Sequence, residues 1–340
     1  MSVTRRSVLS LFAAAPLLAA CGVGGSSSGS GSGERKKVRI AYQSFADSTL
    51  LVKDQRTLEK ALPGHDITWT SFDSGASINT AFLGGAIDLA VIGSSPAAAA
   101  LCPPLSIPYQ VIELLNVIGD SEALVVRNAS GITDIKGLVG RKVAAPFSST
   151  AHYSLLAALQ QAGVDPASVT LVDLEPQNIQ AAWQRGDIDG AYVWTPALSV
   201  LQKDGKTLTD SAKLAAAGKP TLTFTVARKE FIDGNAEVVD KWLAATDAAI
   251  KQIKSDPKPV AEAVARQIGA SVEDALSQLK QNIYLDHAEQ RTPEYFGTPE
   301  APGKLADQLL SAAQFLKEQK KVDTVPDLAT FRAALRVPRG

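Results

Sequence analysis

Cysteine and histidine are scarce in this 340-residue chain, with 2 of the first and 3 of the second. His65, His152 and His287 are scattered and no Cys/His cluster has the spacing of metal ligands, so no structural zinc site is expected. Two cysteines also exclude a disulfide scaffold, and a chain of this length builds hydrophobic cores without one. An excess of one charge is missing too: 34 Lys and Arg stand against 35 Asp and Glu, and no basic run exceeds Arg35-Lys36-Lys37. That leaves no electrostatic footprint for nucleic acid. Catalytic signatures are equally sparse. Gly-x-Ser-x-Gly, His-Glu-x-x-His and Gly-x-x-x-x-Gly-Lys do not occur, and Gly93-Ser94-Ser95-Pro96 only begins like a nucleophile elbow. A pair made of Ser95 and His152 is the one nucleophile and base combination on offer, and neither an enzyme nor a cofactor is expected.

What is present begins with a leader. Arg5-Arg6 precede the apolar run Val8 to Ala20, which Ser10 and Pro16 interrupt and which ends in Leu18-Ala19-Ala20-Cys21. A membrane-spanning helix needs about 20 apolar residues, so this is the charged region, short apolar region and small-residue cleavage site of an export signal over residues 1–21. Its ending resembles a bacterial lipobox, which would make Cys21 an acylated first residue and a membrane anchor. The arginine pair also resembles a twin-arginine signal, with Val8 where that pattern prefers Phe. Gly22 to Gly33 holds only Gly and Ser apart from Val23, a tether with nothing to bury, and it runs into the body across residues 22–37. Acylation of Cys21 would leave Cys102 unpaired, a small buried hydrophobe.

From Val38 onward, short β-branched runs alternate with helical stretches, the pattern of an α/β protein with a largely parallel sheet. Val38–Tyr42, Asp66–Phe72 and Asp88–Ile92 read as strands; Leu50–Leu62, Ser77–Leu83 and a run from Ser95 read as helices. The pattern repeats with strands at Lys142–Ala145, Thr170–Asp173 and Gly190–Val193, and after Arg228 the chain turns strongly helical. Two apolar extended segments, Glu122–Val126 and Thr221–Ala227, stand between these blocks. Paired as crossover strands, they would make the middle block an inserted lobe, 124–226, within a lobe formed by 38–123 and 227–340. Two consecutive domains joined once would leave the same pattern.

Three strand ends run through small hydroxyl and glycine residues into helices: Phe72 to Ser77, Ile92 to Pro96, and Pro146 to Thr150. Each offers unpaired N–H groups, the positive end of a helix dipole and a hydroxyl, enough together to hold an anion without Lys or Arg. Plain N-capping would use the same residues. Trp194, at a strand end, has the place of a ligand-facing aromatic or of a core tryptophan. Gln43 and Glu122 lie where a cleft between lobes would open, and a carboxylate there could receive a ligand cation.

Several stretches resemble the nitrate/sulfonate/taurine-binding family of bacterial ABC importers. They are Phe72 to Ile78, Gly93 to Pro96, Ser121 to Val126, Thr150 to Leu159, and above all Ala181 to Trp194 with its Ala-Ala-Trp-Gln-Arg-Gly-Asp-Ile-Asp-Gly-Ala-Tyr-Val-Trp. The resemblance implies a type II periplasmic-binding-protein fold, two α/β lobes joined by a two-strand hinge, closing on a sulfonate and delivering it as a monomer to a permease driven by a cytoplasmic ATPase. It further implies that Ser74, Gly75, Ala76, Ser95, Ser149 and Thr150 hold the sulfonate, with Gln43 and His152 at its border. Trp194 would pack on the alkyl carbons, and Glu122 would face an amino group. Thr223 stands where the family's taurine binders carry an acid, so a hydroxy- or plain alkanesulfonate suits this chain at least as well as taurine. An enzyme on the same scaffold, an importer protein for a thiamine pyrimidine precursor and a structural lipoprotein remain as other readings.

Overall fold

The computed structural model describes residues 35–338. Cys21 and the Gly22 to Gly33 tether therefore lie outside the described residues. Among the described residues, eleven strands form two sheets. The first contains β1 (Lys36–Tyr42), β2 (His65–Ser71), β3 (Leu89–Gly93), β4 (Tyr109–Val117), β10 (Leu222–Arg228) and β11 (Ile283–Tyr284), in the order β11-β4-β10-β3-β1-β2. The second contains β5 (Glu122–Arg127), β6 (Lys142–Ala145), β7 (Thr170–Asp173), β8 (Gly190–Trp194) and β9 (Gly205–Asp210), in the order β7-β6-β8-β5-β9. Helices cover both faces of each sheet, so every sheet separates two apolar clusters. Cys102 is buried in one of them, with no disulfide partner among the described residues.

The strand directions are mixed rather than largely parallel. β1, β2 and β3 run parallel, as do β6, β7 and β8, but β10 is antiparallel to β3 and β4, and β5 is antiparallel to β8 and β9. The reason lies in the connectivity. The chain leaves the first sheet after Val117, enters the second at Glu122, leaves it after Asp210 and re-enters the first at Leu222. Both re-entering strands start at the cleft, so they must run against the strands that end there. The two segments expected to pair as crossover strands accordingly sit in different sheets, β5 between β8 and β9 and β10 between β3 and β4. Leu222–Val226, placed by the sequence pattern in the inserted lobe, are strand residues of the first sheet.

Local departures have local causes. The helix expected over Leu50–Leu62 breaks into Ser48–Asp54 and Thr57–Ala61, because Arg56 adopts a left-handed conformation at φ 52°. The helical character expected after Arg228 is interrupted once the helix Val272–Leu279 ends, where Ile283 joins β11. β4 is fastened to β10 by the buried Glu113 carboxylate. It accepts from Thr225 Oγ1 at 2.9 Å, from Thr246 Oγ1 at 2.6 Å and from Trp242 Nε1 at 3.2 Å, which gives a buried polar group the partners it requires. Glu113 and Thr225 are ladder partners, and so are Asn116 and Thr223 at the cleft end of the same two strands.

Candidate functional site

In an open α/β sheet, ligands sit beyond the carboxyl ends of the strands. Here those ends from both sheets face one cleft. Gln43 follows β1, Gly93 ends β3, Asn116 lies near the end of β4, Trp194 ends β8, and Ser149 follows β6; Glu122 and Thr223 begin or nearly begin the two strands that run the other way. All seven line one pocket of about 50 Å³, together with Gly75, Thr150, Phe45, Ala46, Pro96, Ile118, Ser121, Thr195 and Asn282. At about 10–15 Å³ per water position this holds only a compact ligand. No Lys or Arg is among the described residues on its walls.

Helix starts meet at this pocket. The helix Gly75–Leu83 is capped by Ser74, whose Oγ accepts from Ser77 N, and Ser77 Oγ in turn accepts from Ser74 N, a reciprocal box that fixes the entry of the chain. The helix Thr150–Gln161 is capped by Ser149, whose Oγ accepts from His152 N at 3.1 Å. The helix Ser94–Ala100 begins after Gly93 without a side-chain cap. Two glycines permit the close approach. A Cβ on Gly75 would lie 2.4 Å from Pro96 Cγ, and one on Gly93 would lie 2.7 Å from Thr150 Cγ2 across the cleft. Both separations are shorter than real Cβ atoms tolerate.

The hydroxyls at these starts donate elsewhere. Thr150 Oγ1 donates to Glu122 Oε2 at 2.6 Å, Ser149 Oγ to the carbonyl of Pro146 at 2.5 Å, and Ser74 Oγ to Glu175 Oε1 at 2.8 Å. The donors left for an anion are the backbone N–H groups of the first helical turns, at Gly75, Ala76, Ser95, Thr150 and Ala151. Ser74, Ala76, Ser95 and His152 do not line the pocket wall. Ser95 is buried with its Oγ unpartnered among the described residues. His152 stacks on Phe147 at 4.4 Å, and its Nδ1 accepts from Ser148 N at 3.3 Å. Burial, with Lys321 nearby, pushes the ring down to about 4, so at neutral pH it is uncharged and carries its proton on Nε2. The sequence's candidate Ser95/His152 pair makes no hydrogen bond of its own in the described hydrogen-bond network.

Glu122 is 1% exposed. Thr150 serves one of its oxygens, and Ser211 at 2.9 Å and Ser154 at 3.4 Å serve the other. Burial pushes the carboxyl up to about 7 although these hydroxyls pull it down. Trp183 turns out to be a core residue, its Nε1 donating to Asp204 at 2.7 Å. Sequence reasoning missed Asn116, Ser121 and Asn282. Asn282 Oδ1 accepts from Gly119 N at 3.0 Å and Ser121 Oγ at 2.6 Å, so it braces the crossing between the sheets. The one available signal was a polar residue at the end of the apolar run Tyr109–Val117.

Two sheets that exchange the chain twice and share a pocket at their facing strand ends define the two-lobed, type II periplasmic-binding-protein fold. Residues 36–268 match the family described as the substrate binding domain of ABC-type glycine betaine transport system. The chain is 40% identical over 299 residues to the taurine-binding periplasmic protein of Escherichia coli (strain K12), covering 85% of this chain and 88% of that protein. A putative aliphatic sulfonates-binding protein of the same strain is 29% identical, covering 74% and 75%. The structure of the alkanesulfonate-binding protein from Xanthomonas axonopodis pv. citri, bound to MOPS, matches with a TM-score of 0.74 at 21% identity, over 90% of this chain and 99% of that one, a likeness of fold. The chain belongs to the substrate-binding proteins of ABC importers. It is a binding protein and not an enzyme.

Proposed function

We propose that this chain captures a small alkanesulfonate, taurine or a near relative, between its two lobes and delivers it to the permease of an ABC importer. The observation that carries the reading is the meeting of helix starts from both lobes at a pocket whose described walls hold no Lys or Arg. Backbone N–H groups and helix dipoles suit an anion that spreads its charge over several oxygens and has no proton to donate. The kinship with a taurine-binding protein supports the same class. In this reading Gly75, Ala76, Ser95 and Thr150 offer N–H groups to the sulfonate while Ser74 and Ser149 hold the helix starts in place. Gln43 and His152 border it, Trp194 covers the alkyl carbons, and Glu122 and Thr223 face the tail. The segment between the two crossings moves as one lobe against the rest, closing over the ligand. The protein works outside the cytoplasm as a monomer, anchored by an acylated Cys21 and held off the membrane by the Gly/Ser tether.

Thermal melting of the body from Arg35 onward tests this against taurine, isethionate, plain alkanesulfonates, sulfate, nitrate, glycine betaine and a thiamine pyrimidine precursor. A ligand at about 100 times its Kd adds about 2.7 kcal/mol. Stabilisation confined to sulfonates is the expected result. Stabilisation by glycine betaine or the pyrimidine with none from any sulfonate would overturn it.

A further inference from the structure

We propose that Asn116 selects the ligand's tail, its side-chain carbonyl accepting a hydrogen bond from an amino or hydroxyl group two carbons away from the sulfonate; this rests on the sulfonate reading above. Asn116 is 1% exposed and lines the pocket, yet its Oδ1 has no hydrogen-bond partner among the described residues. A buried acceptor left unsatisfied is costly, so a position that keeps one facing a pocket is built for a donor that arrives with the ligand. The one acid on the described pocket wall is already engaged: both Glu122 oxygens receive hydroxyls from its own lobe. Thr223, the direct ladder partner of Asn116, lines the pocket beside it.

The sheet supplies the length of the ligand. Gly93 pairs with Thr223, and Thr223 with Asn116, across three adjacent strands. Neighbouring strands lie about 4.8 Å apart, which sets Asn116 about 10 Å from Gly93. Gly93 is the point at which the start of the helix Thr150–Gln161 abuts the first sheet, which places the head of the ligand there. The small volume of the pocket that holds both ends, about 50 Å³, suits a short linker such as two carbons between head and tail. A plain alkyl tail of that length would leave Asn116 Oδ1 unpaired, and a longer one would overrun it.

The test is calorimetric Kd values for taurine, isethionate, ethanesulfonate and 3-aminopropanesulfonate with the wild-type protein, Asn116→Leu and Asn116→Asp. The wild type should bind taurine or isethionate at least about tenfold more tightly than ethanesulfonate and than the three-carbon amine, as one hydrogen bond to a buried acceptor requires. Asn116→Leu should erase the preference over ethanesulfonate, with the circular-dichroism spectrum of the ligand-free variant reporting an intact fold. Asn116→Asp should raise the taurine-to-isethionate preference at least about tenfold, and it decides alone if the Leu variant does not fold. A preference that survives Asn116→Leu, or a ratio unmoved by Asn116→Asp, overturns the proposal. Wild-type binding of sulfonates without any tail preference sinks this inference only, whereas no sulfonate binding at all sinks the reading beneath it as well.

Discussion

Glu122 is the residue whose chemistry most directly couples the pocket to pH. Its carboxyl is raised from an ordinary 4.5 to about 7, chiefly by burial. In the empty protein it therefore keeps its proton at pH values where the unfolded chain has lost it. Its contribution to stability is complete below about pH 4.5 and is lost as pH rises to about 7. Asp47, raised by burial to about 6, acts in the same direction, and His152, lowered to about 4, acts in the opposite one. A comparison with Glu122→Gln isolates the first of these. Melting of the two proteins from pH 5 to 8 should show the Gln variant gaining on the wild type as pH rises; a constant difference would mean that Glu122 is not shifted. A ligand with an ammonium tail reverses the preference by favouring the ionised carboxylate, so taurine affinity in the wild type should improve with pH across the same range.

At the scale of elements, the site is a set of helix starts brought together by two glycines. Ser74 and Ser149 act as caps, which turns their hydroxyls toward the backbone and leaves first-turn N–H groups to face the pocket. Gly93 has φ −73° and ψ 156°, a conformation open to any residue, so its glycine answers to the 2.7 Å approach of Thr150 and not to the backbone. Gly93→Ala should thus cost about 1–3 kcal/mol of stability in this arrangement, because the methyl would have to push Thr150 Cγ2 away. It should weaken ligand binding by about tenfold or more, since the added methyl holds the lobes apart. An affinity unchanged by the methyl, measured by calorimetry, would mean that this contact does not shape the ligand site.

At the scale of the whole molecule, side chains bridge the two sheets' layers on both sides of the pocket. Tyr153, beside Leu156 on the helix Thr150–Gln161, meets Phe315 of the helix Leu305–Glu318 edge-on at 4.8 Å. Lys321 lies over the Phe147 ring at 4.4 Å, and Ser74 reaches Glu175. These contacts join elements of the two sheets' layers, so parting the layers to free a ligand has to break them. Phe315→Ala removes the aromatic pair, worth about 0.5–1.5 kcal/mol beyond area, and should speed ligand release about tenfold in stopped-flow without changing the ranking of sulfonates. An unchanged release rate with a lower melting temperature would make Phe315 a plain core residue.

Features that depend on neighbours a few residues away were legible in the amino-acid order alone. The strands from Val38 to Tyr42, Lys142 to Ala145 and Thr170 to Asp173, the capped helix starts after Ser74 and Ser149 and the apolar faces of the long C-terminal helices all follow from local propensity, caps and periodicity. These starts located much of the candidate site: Gly75, Ser149 and Thr150, with Gln43, Glu122, Trp194 and Thr223, do share one pocket. β4 escaped notice because it is buried almost continuously, so it shows no alternation, and Glu113 and Asn116 break its apolar run. Only the tertiary structure decided that β4 and β10 lie side by side, that both re-entering strands run against their neighbours, and that Thr150 spends its hydroxyl on a carboxylate 28 positions away. Strand order, strand direction and the closing of one lobe on another are made by contacts between residues distant in the chain, and a local pattern carries no record of them.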